Sequence, residues 1–139
     1  MAKENIPSVK DYFFKKKTKN KDARKKVSIK WTADDGKTYS DVISISKVTL
    51  DQAAEYADLK ADKGNLAYFA DMFNNHVFDP ETGDNYFKIE EILAKTPYIS
   101  LPQFLNEAVD AAFVIAVQKA INEFTGVSDR KTVIEEIKN

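Results

Sequence analysis

Cysteine is absent from the 139 residues of this chain, so neither a disulfide framework nor thiolate chemistry is open to it. That fits a reducing cytoplasm without requiring one. A single histidine, His76, excludes the usual multi-histidine metal sites and argues against a Ser–His catalytic pair. Long apolar runs are lacking too. The longest, "AAFVIAV" at 111–117, falls far short of the ~20 residues needed to cross a bilayer. The opening "MAKENIPSVKDYFF" has no apolar segment of the signal-peptide kind, so a cytoplasmic protein without membrane contact is expected. No catalytic or metal motif stands out, and a non-enzyme with no cofactor is expected. What remains is ordinary for a globular domain: 43% hydrophobic and 31% charged residues, in a chain long enough to bury a core.

The net charge of −1 conceals an asymmetry. Residues 1–30 carry eleven Lys/Arg against three Asp/Glu, a net +8, whereas residues 31–139 carry ten against nineteen, a net −9. Most of the basic charge sits in "KKKTKNKDARKK" at 15–26, as Lys15, Lys16, Lys17, Lys19, Lys21, Arg24, Lys25 and Lys26. Phosphate neutralisation is one reading of such a run. The run has no interleaved aromatics or glycines for base stacking, and the rest of the chain is acidic. A solvated, mobile tether, or a contact with an acidic protein surface, is therefore favoured over nucleic acid. Ahead of it, "PSVKDYFFKK" reads as a short helix. Ser8 and Asp11 have capping-box spacing, and Val9, Tyr12 and Phe13 share one face. Tyr12, Phe13 and Phe14 are candidate docking residues. The expected organisation is a helix plus basic tether over 1–26 and a single α+β domain over 27–139.

Within that domain "VSIKW" alternates with a period of two, Asp35-Gly36 supplies a turn, and "DVISISKV" returns as a second strand. A hairpin over 27–48 is expected, followed over 49–139 by a bundle of four to five helices, mainly α overall. Thr49 and Gln52 form a capping box for a helix with Leu50, Ala53, Ala54, Ala57 and Leu59 on its apolar face. Gly64 breaks it, and a further helix places Leu66, Phe69, Ala70 and Phe73 inward. "YFKIEEILAK" predicts a short helix with Ile89, Ile92 and Leu93 inward. Ser100 and Gln103 cap a helix of roughly 24 residues, about 36 Å long, that ends at Gly126. A last short helix is expected in "SDRKTVIEEIKN".

Three features bear on function. "DPETGD" offers oxygen donors in Asp79, Glu81 and Asp84, but its spacing misses the calcium-loop pattern, so a turn is expected. His76 is expected at a helix C-terminus facing that loop, not as a catalytic base. The long helix carries a polar stripe, Gln103, Glu107, Asp110, Gln118 and Asn122, which Val114 interrupts. Over 111–117 it is apolar all round, which means burial in the core or a face awaiting a partner. In the second reading Phe113, Val114 and Val117 contact a partner or another copy of the chain.

The order of elements resembles the phage tail assembly chaperones, small non-enzymatic proteins of long-tailed phages and prophages. The residues that carry the resemblance are the hairpin "KWTADDGKTYSDVISI", a helix opened by "TLDQA", and a helix ending at Val77 to Pro80. A short helix with "EEIL" and a longer one holding "FLNEAV" complete it, over roughly residues 27–110. The resemblance implies a chaperone that coats an aggregation-prone tape measure protein in the bacterial host cytoplasm and helps recruit tail tube protein around it. A structural component of the virion or tail, and a nucleic-acid-binding accessory protein using the basic segment, are the alternatives.

Overall fold

The computed structural model describes residues 8–15 and 23–126. Lys16, Lys17, Lys19 and Lys21, most of the tether, and the helix expected in "SDRKTVIEEIKN" lie outside the described residues. The fold is α+β and mainly α: a three-stranded antiparallel sheet and, among the described residues, six helices. The hairpin forms as its alternation predicts. Strands β1 (Arg24–Thr32) and β2 (Thr38–Ser46) pair from Arg24 opposite Ser46 to Thr32 opposite Thr38. At the turn, the Lys37 amide donates to the Asp35 carboxylate at 2.8 Å. A two-residue strand, β3 (Val77–Phe78), adds to the other edge of β2. Two residues are too few to show a period, so this strand is invisible in the sequence.

The sheet is two-faced. Val27, Ile29, Trp31, Ile43, Ile45 and Val77 lie on the core side, whereas Ser28 and Ser40 meet at 3.4 Å on the exposed side. The strand starts at Arg24, three residues earlier than the expected domain boundary. Arg24, Lys25 and Lys26 thus belong to the sheet and not to a tether. The cause is tertiary: the Arg24 guanidinium stacks 3.6 Å from the centre of the Phe78 ring and donates to the Gly83 carbonyl at 2.9 Å.

Helix α1 (Val9–Lys15) starts at Ser8, whose hydroxyl accepts from the Asp11 amide at 3.0 Å, and it buries no residue. After the hairpin, the predicted capping box of Thr49 and Gln52 opens α2 (Leu50–Lys63). Gly64 alone joins α2 to α3 (Asn65–His76). The expected apolar face of α2 is largely exposed, and the helix is held through one buried residue, Tyr56. Its ring packs edge-on against Tyr68 at 5.4 Å. Helix α3 is central: it packs against α2, β2 and β3 and against two later helices, and buries Tyr68, Ala70, Met72, Phe73 and His76. Leu66, expected inward, is exposed.

Helix α4 (Ile89–Lys95) buries Ile92 and leaves the other two expected core residues, Ile89 and Leu93, exposed. The single long helix does not form. It is divided into α5 (Leu101–Ala108) and α6 (Ala111–Thr125), with Val109 and Asp110 extended between them. No glycine or proline marks this break. Its cause is that α5 packs on α3 and α4 while α6 packs on β1, β2 and α3. The corner is pinned where the Trp31 indole N–H donates to the Asp110 carboxylate at 3.3 Å. Phe113, Val117 and Ile121 of α6 then join Ile43, Ile45 and Val77 in the core, each such side chain contributing roughly 1.5–3 kcal/mol of burial.

Candidate functional site

Two places combine polar or apolar side chains in a way that bears on function. The first surrounds His76, the last residue of α3, which is 1% exposed and does not face the loop. Its Nδ1 lies 2.9 Å from the Ser46 hydroxyl at the end of β2, and its Nε2 lies 2.7 Å from the Tyr56 hydroxyl of α2. Asn75 Nδ2 donates to the Tyr56 oxygen at 3.1 Å, and the Ser46 hydroxyl donates to the Asn75 carbonyl at 3.3 Å. Burial lowers the His76 pKa from 6.5 to about 4, so the ring is neutral.

One proton assignment satisfies every member of this cluster. Tyr56 donates to Nε2, Nδ1–H donates to Ser46, and Ser46 donates to the backbone. His76 therefore presents a proton, not a lone pair, to the serine. The distance is that of a nucleophile–base pair, but the proton runs the wrong way for the imidazole to activate the hydroxyl. The cluster ties α2, α3 and the sheet together. No buried polar side-chain atom among the described residues lacks a partner. Sequence pattern offers no means of pairing residues 46, 56 and 76.

The second place is an open groove of about 1060 Å³ between the loop after β3, the start of α4 and the start of α5. Phe87, Ile89, Ile99 and Leu101 supply its apolar lining, and Asp84, Lys88, Glu90 and Glu91 its charged lining, of both signs. The loop that shapes it is the "DPETGD" turn. Asp79 accepts from the Glu81 amide at 2.8 Å, the Asp79 amide donates to the Asp84 carbonyl at 2.8 Å, and Gly83 has φ +79°. Asp84 is paired with Lys88 at 2.9 Å. Among the described residues no group of three or more His, Cys, Asp or Glu is placed to hold a metal ion.

Ile89, Leu93 and Ile99 are 41%, 55% and 75% exposed. Ile89 and Leu93 stand one turn apart on α4, so they share a face. This apolar surface is hidden in the sequence because Ile89, Ile92 and Leu93, at i, i+3 and i+4, read together as one core-facing side of the helix.

The residues proposed from sequence are placed differently. Phe113, Val114 and Val117 are buried, Val114 at 7% exposed, so they form core and not a partner face. The large outward residue of that apolar stretch is Ile115, with Ala111 and Ala112 also exposed. Val9, Tyr12, Phe13 and Phe14 of α1 are all exposed. Lys15 ends α1, while Lys25 and Lys26 lie exposed on β1. Arg24 is committed to Phe78 and Gly83. Among the described residues no helix is long and apolar enough to cross a membrane. The chain matches no family model, no curated protein and no solved structure.

Proposed function

We propose that this protein is a non-catalytic helix-binding chaperone of the phage tail assembly type. It holds apolar helical segments of a tape measure protein against the α4 groove, assists recruitment of tail tube protein and acts in the cytoplasm of a bacterial host. The observation that carries the reading is the exposure of Ile89 and Ile99, which both line an open groove, with exposed Leu93 one turn from Ile89 on α4. That groove is built almost entirely from the segment whose pattern resembles these chaperones. A groove with aliphatic walls and a polar rim fits an amphipathic helix read through anchors at i, i+3 or i+4, and i+7. Exposed aliphatics grouped in this way are a surface awaiting a partner.

Co-expression of the chain with a tape measure protein, followed by affinity capture, tests the proposal. Replacing Ile89 and Ile99 together by Asp is expected to leave the melting temperature near that of the wild type, since both side chains are already exposed. Capture should fall by at least about tenfold, as for loss of a central apolar anchor. Undiminished capture by a well-folded double variant would remove the groove from the function.

A further inference from the structure

Helix α2 is held to the rest of the molecule at few points. It packs against α3 and against no other described helix or strand. Of its 14 residues only Tyr56 is buried. The Tyr56 hydroxyl donates to His76 Nε2 at 2.7 Å and accepts from Asn75 Nδ2 at 3.1 Å. Beside this, the Lys60 ammonium sits 4.0 Å from the centre of the Tyr68 ring. On the other side of the seam α3 has anchors of its own. The Tyr68 oxygen accepts from Gln118 Nε2 of α6 at 3.1 Å, and His76 Nδ1 lies 2.9 Å from the Ser46 hydroxyl of β2. Neither bond involves α2.

Both ends of α2 are suited to pivot. At its C-terminus Gly64 alone separates it from α3, with φ +91° and ψ 176°, outside either helix. No side chain caps α3 there, and the Tyr68 amide reaches the Gly64 carbonyl only at 3.4 Å, a long bond. At the N-terminus the Val48 amide donates to the Thr125 hydroxyl at 3.1 Å, which ties the chain to the end of α6 just ahead of the Thr49 cap. The capping box of Thr49 and Gln52 is local to α2, so it survives movement of the helix.

We propose that α2 is an acid-released flap: protonation of His76 removes the acceptor that holds the Tyr56 hydroxyl, and α2 leaves α3 about Gly64 while the sheet, α3 and α6 stay folded. Burial first, and then the charges of Asp71 on α3 and Glu55 on α2, keep the Tyr56 hydroxyl protonated, so it always needs an acceptor. Once Nε2 carries a proton, two donors face each other across the seam, and a buried donor without an acceptor is costly. Nothing around the docked ring offsets the new charge. Tyr56 of α2 and Ser46 of β2 occupy its two nitrogens. Arg24 of β1 and Lys47, both cations, line the recess beside it, and no carboxylate does. Opening α2 gives the imidazolium and the hydroxyl to water, and the proton thereby works on the one helix whose attachment depends on it.

The docked ring titrates at about 4 and a solvated one at 6.5, so the released form gains about tenfold for each pH unit between them. Amide hydrogen exchange of the whole chain, without and with low urea, at neutral pH and about one and a half units below it, reads this directly. Rates are corrected for the intrinsic pH dependence of exchange. The α2 amides are expected to be less protected than those of β2 and α6. They should also be insensitive to low urea, because opening one helix exposes little surface, whereas β2 and α6 respond. On acidification the α2 protection should fall by about tenfold. In His76→Phe the α2 amides should exchange fast already at neutral pH and show no acid response.

Wild-type α2 amides as protected and as urea-dependent as those of β2 and α6 would overturn the proposal, since α2 would then open only with the whole fold. So would an α2 opening that does not rise on acidification, or one that rises equally in His76→Phe. The first two outcomes need the wild-type chain alone and do not depend on the variant folding. The flap uses no residue of the α4 groove, so its failure leaves the helix-binding reading untouched, and loss of that reading leaves the flap standing.

Discussion

Acidification is expected to remove about 3 kcal/mol of stability through His76 alone. The ring is neutral in the fold because burial lowers its pKa to about 4, against 6.5 when unfolded. Above pH 6.5 both states are neutral and the group contributes no pH dependence. Between pH 6.5 and about 4 the unfolded chain binds a proton that the folded chain does not, so stability falls as pH falls. Each pH unit in that window costs about 1.4 kcal/mol, and the whole window about 3 kcal/mol. For a domain near this size that is a drop of roughly 10 °C in melting temperature. Below pH 4 both states are protonated and the loss stops growing.

Carboxylates also titrate in this range, so the comparison is with His76→Phe, which keeps a ring in the space and cannot titrate there. At pH 7 the variant should be less stable by about 1–3 kcal/mol, since the Tyr56 hydroxyl loses its acceptor and Ser46 its donor. That gap should close as the pH is lowered to 4. Proton NMR supplies an independent reading, because a chain with one histidine needs no assignment of its imidazole signals. A gap that stays constant from pH 7 to 4, or an imidazole that titrates near 6.5, would refute the buried neutral ring.

Gly64 adopts φ +91° and ψ 176° between α2 and α3, where no atom lies within 4 Å of a Cβ position. Gly64→Ala should therefore cost about 1–3 kcal/mol from the backbone alone, and an unchanged melting temperature would contradict this. Val114→Asp should destabilise by more than about 3 kcal/mol because it buries an unpaired carboxylate, whereas Ile115→Asp on the exposed face should stay within about 0.5 kcal/mol. Thermal melts that reverse that order would place α6 the wrong way round. Trp31→Phe and Asp110→Ala should each cost about 1 kcal/mol and couple in a double-mutant cycle, since they share one hydrogen bond. Strictly additive losses would show that this bond does not hold the α5–α6 corner.

The elements set by neighbours in the chain are legible in the sequence itself. Alternation over Val27, Ile29 and Trp31, the Asp35-Gly36 turn, the caps at Thr49 and Ser100 and the stop at Gly126 all depend on contacts within about four residues. Each appears in the fold at its expected place. Periodicity also says which residues are apolar on a helix, but not which side a neighbour will cover. Hence Leu50, Leu66, Ile89 and Leu93 read as inward and are exposed, while Val114 reads as part of a polar stripe and is buried. Other features depend on groups distant in sequence: the β3 pairing, the Ser46–His76–Tyr56 cluster, the break at Asp110 and the groove between residues 83 and 101. Side-chain pattern carries hydrogen bonding and burial only over the span of a turn or a strand pair. Contacts such as Trp31 with Asp110, 79 residues apart, exist only once the chain has packed.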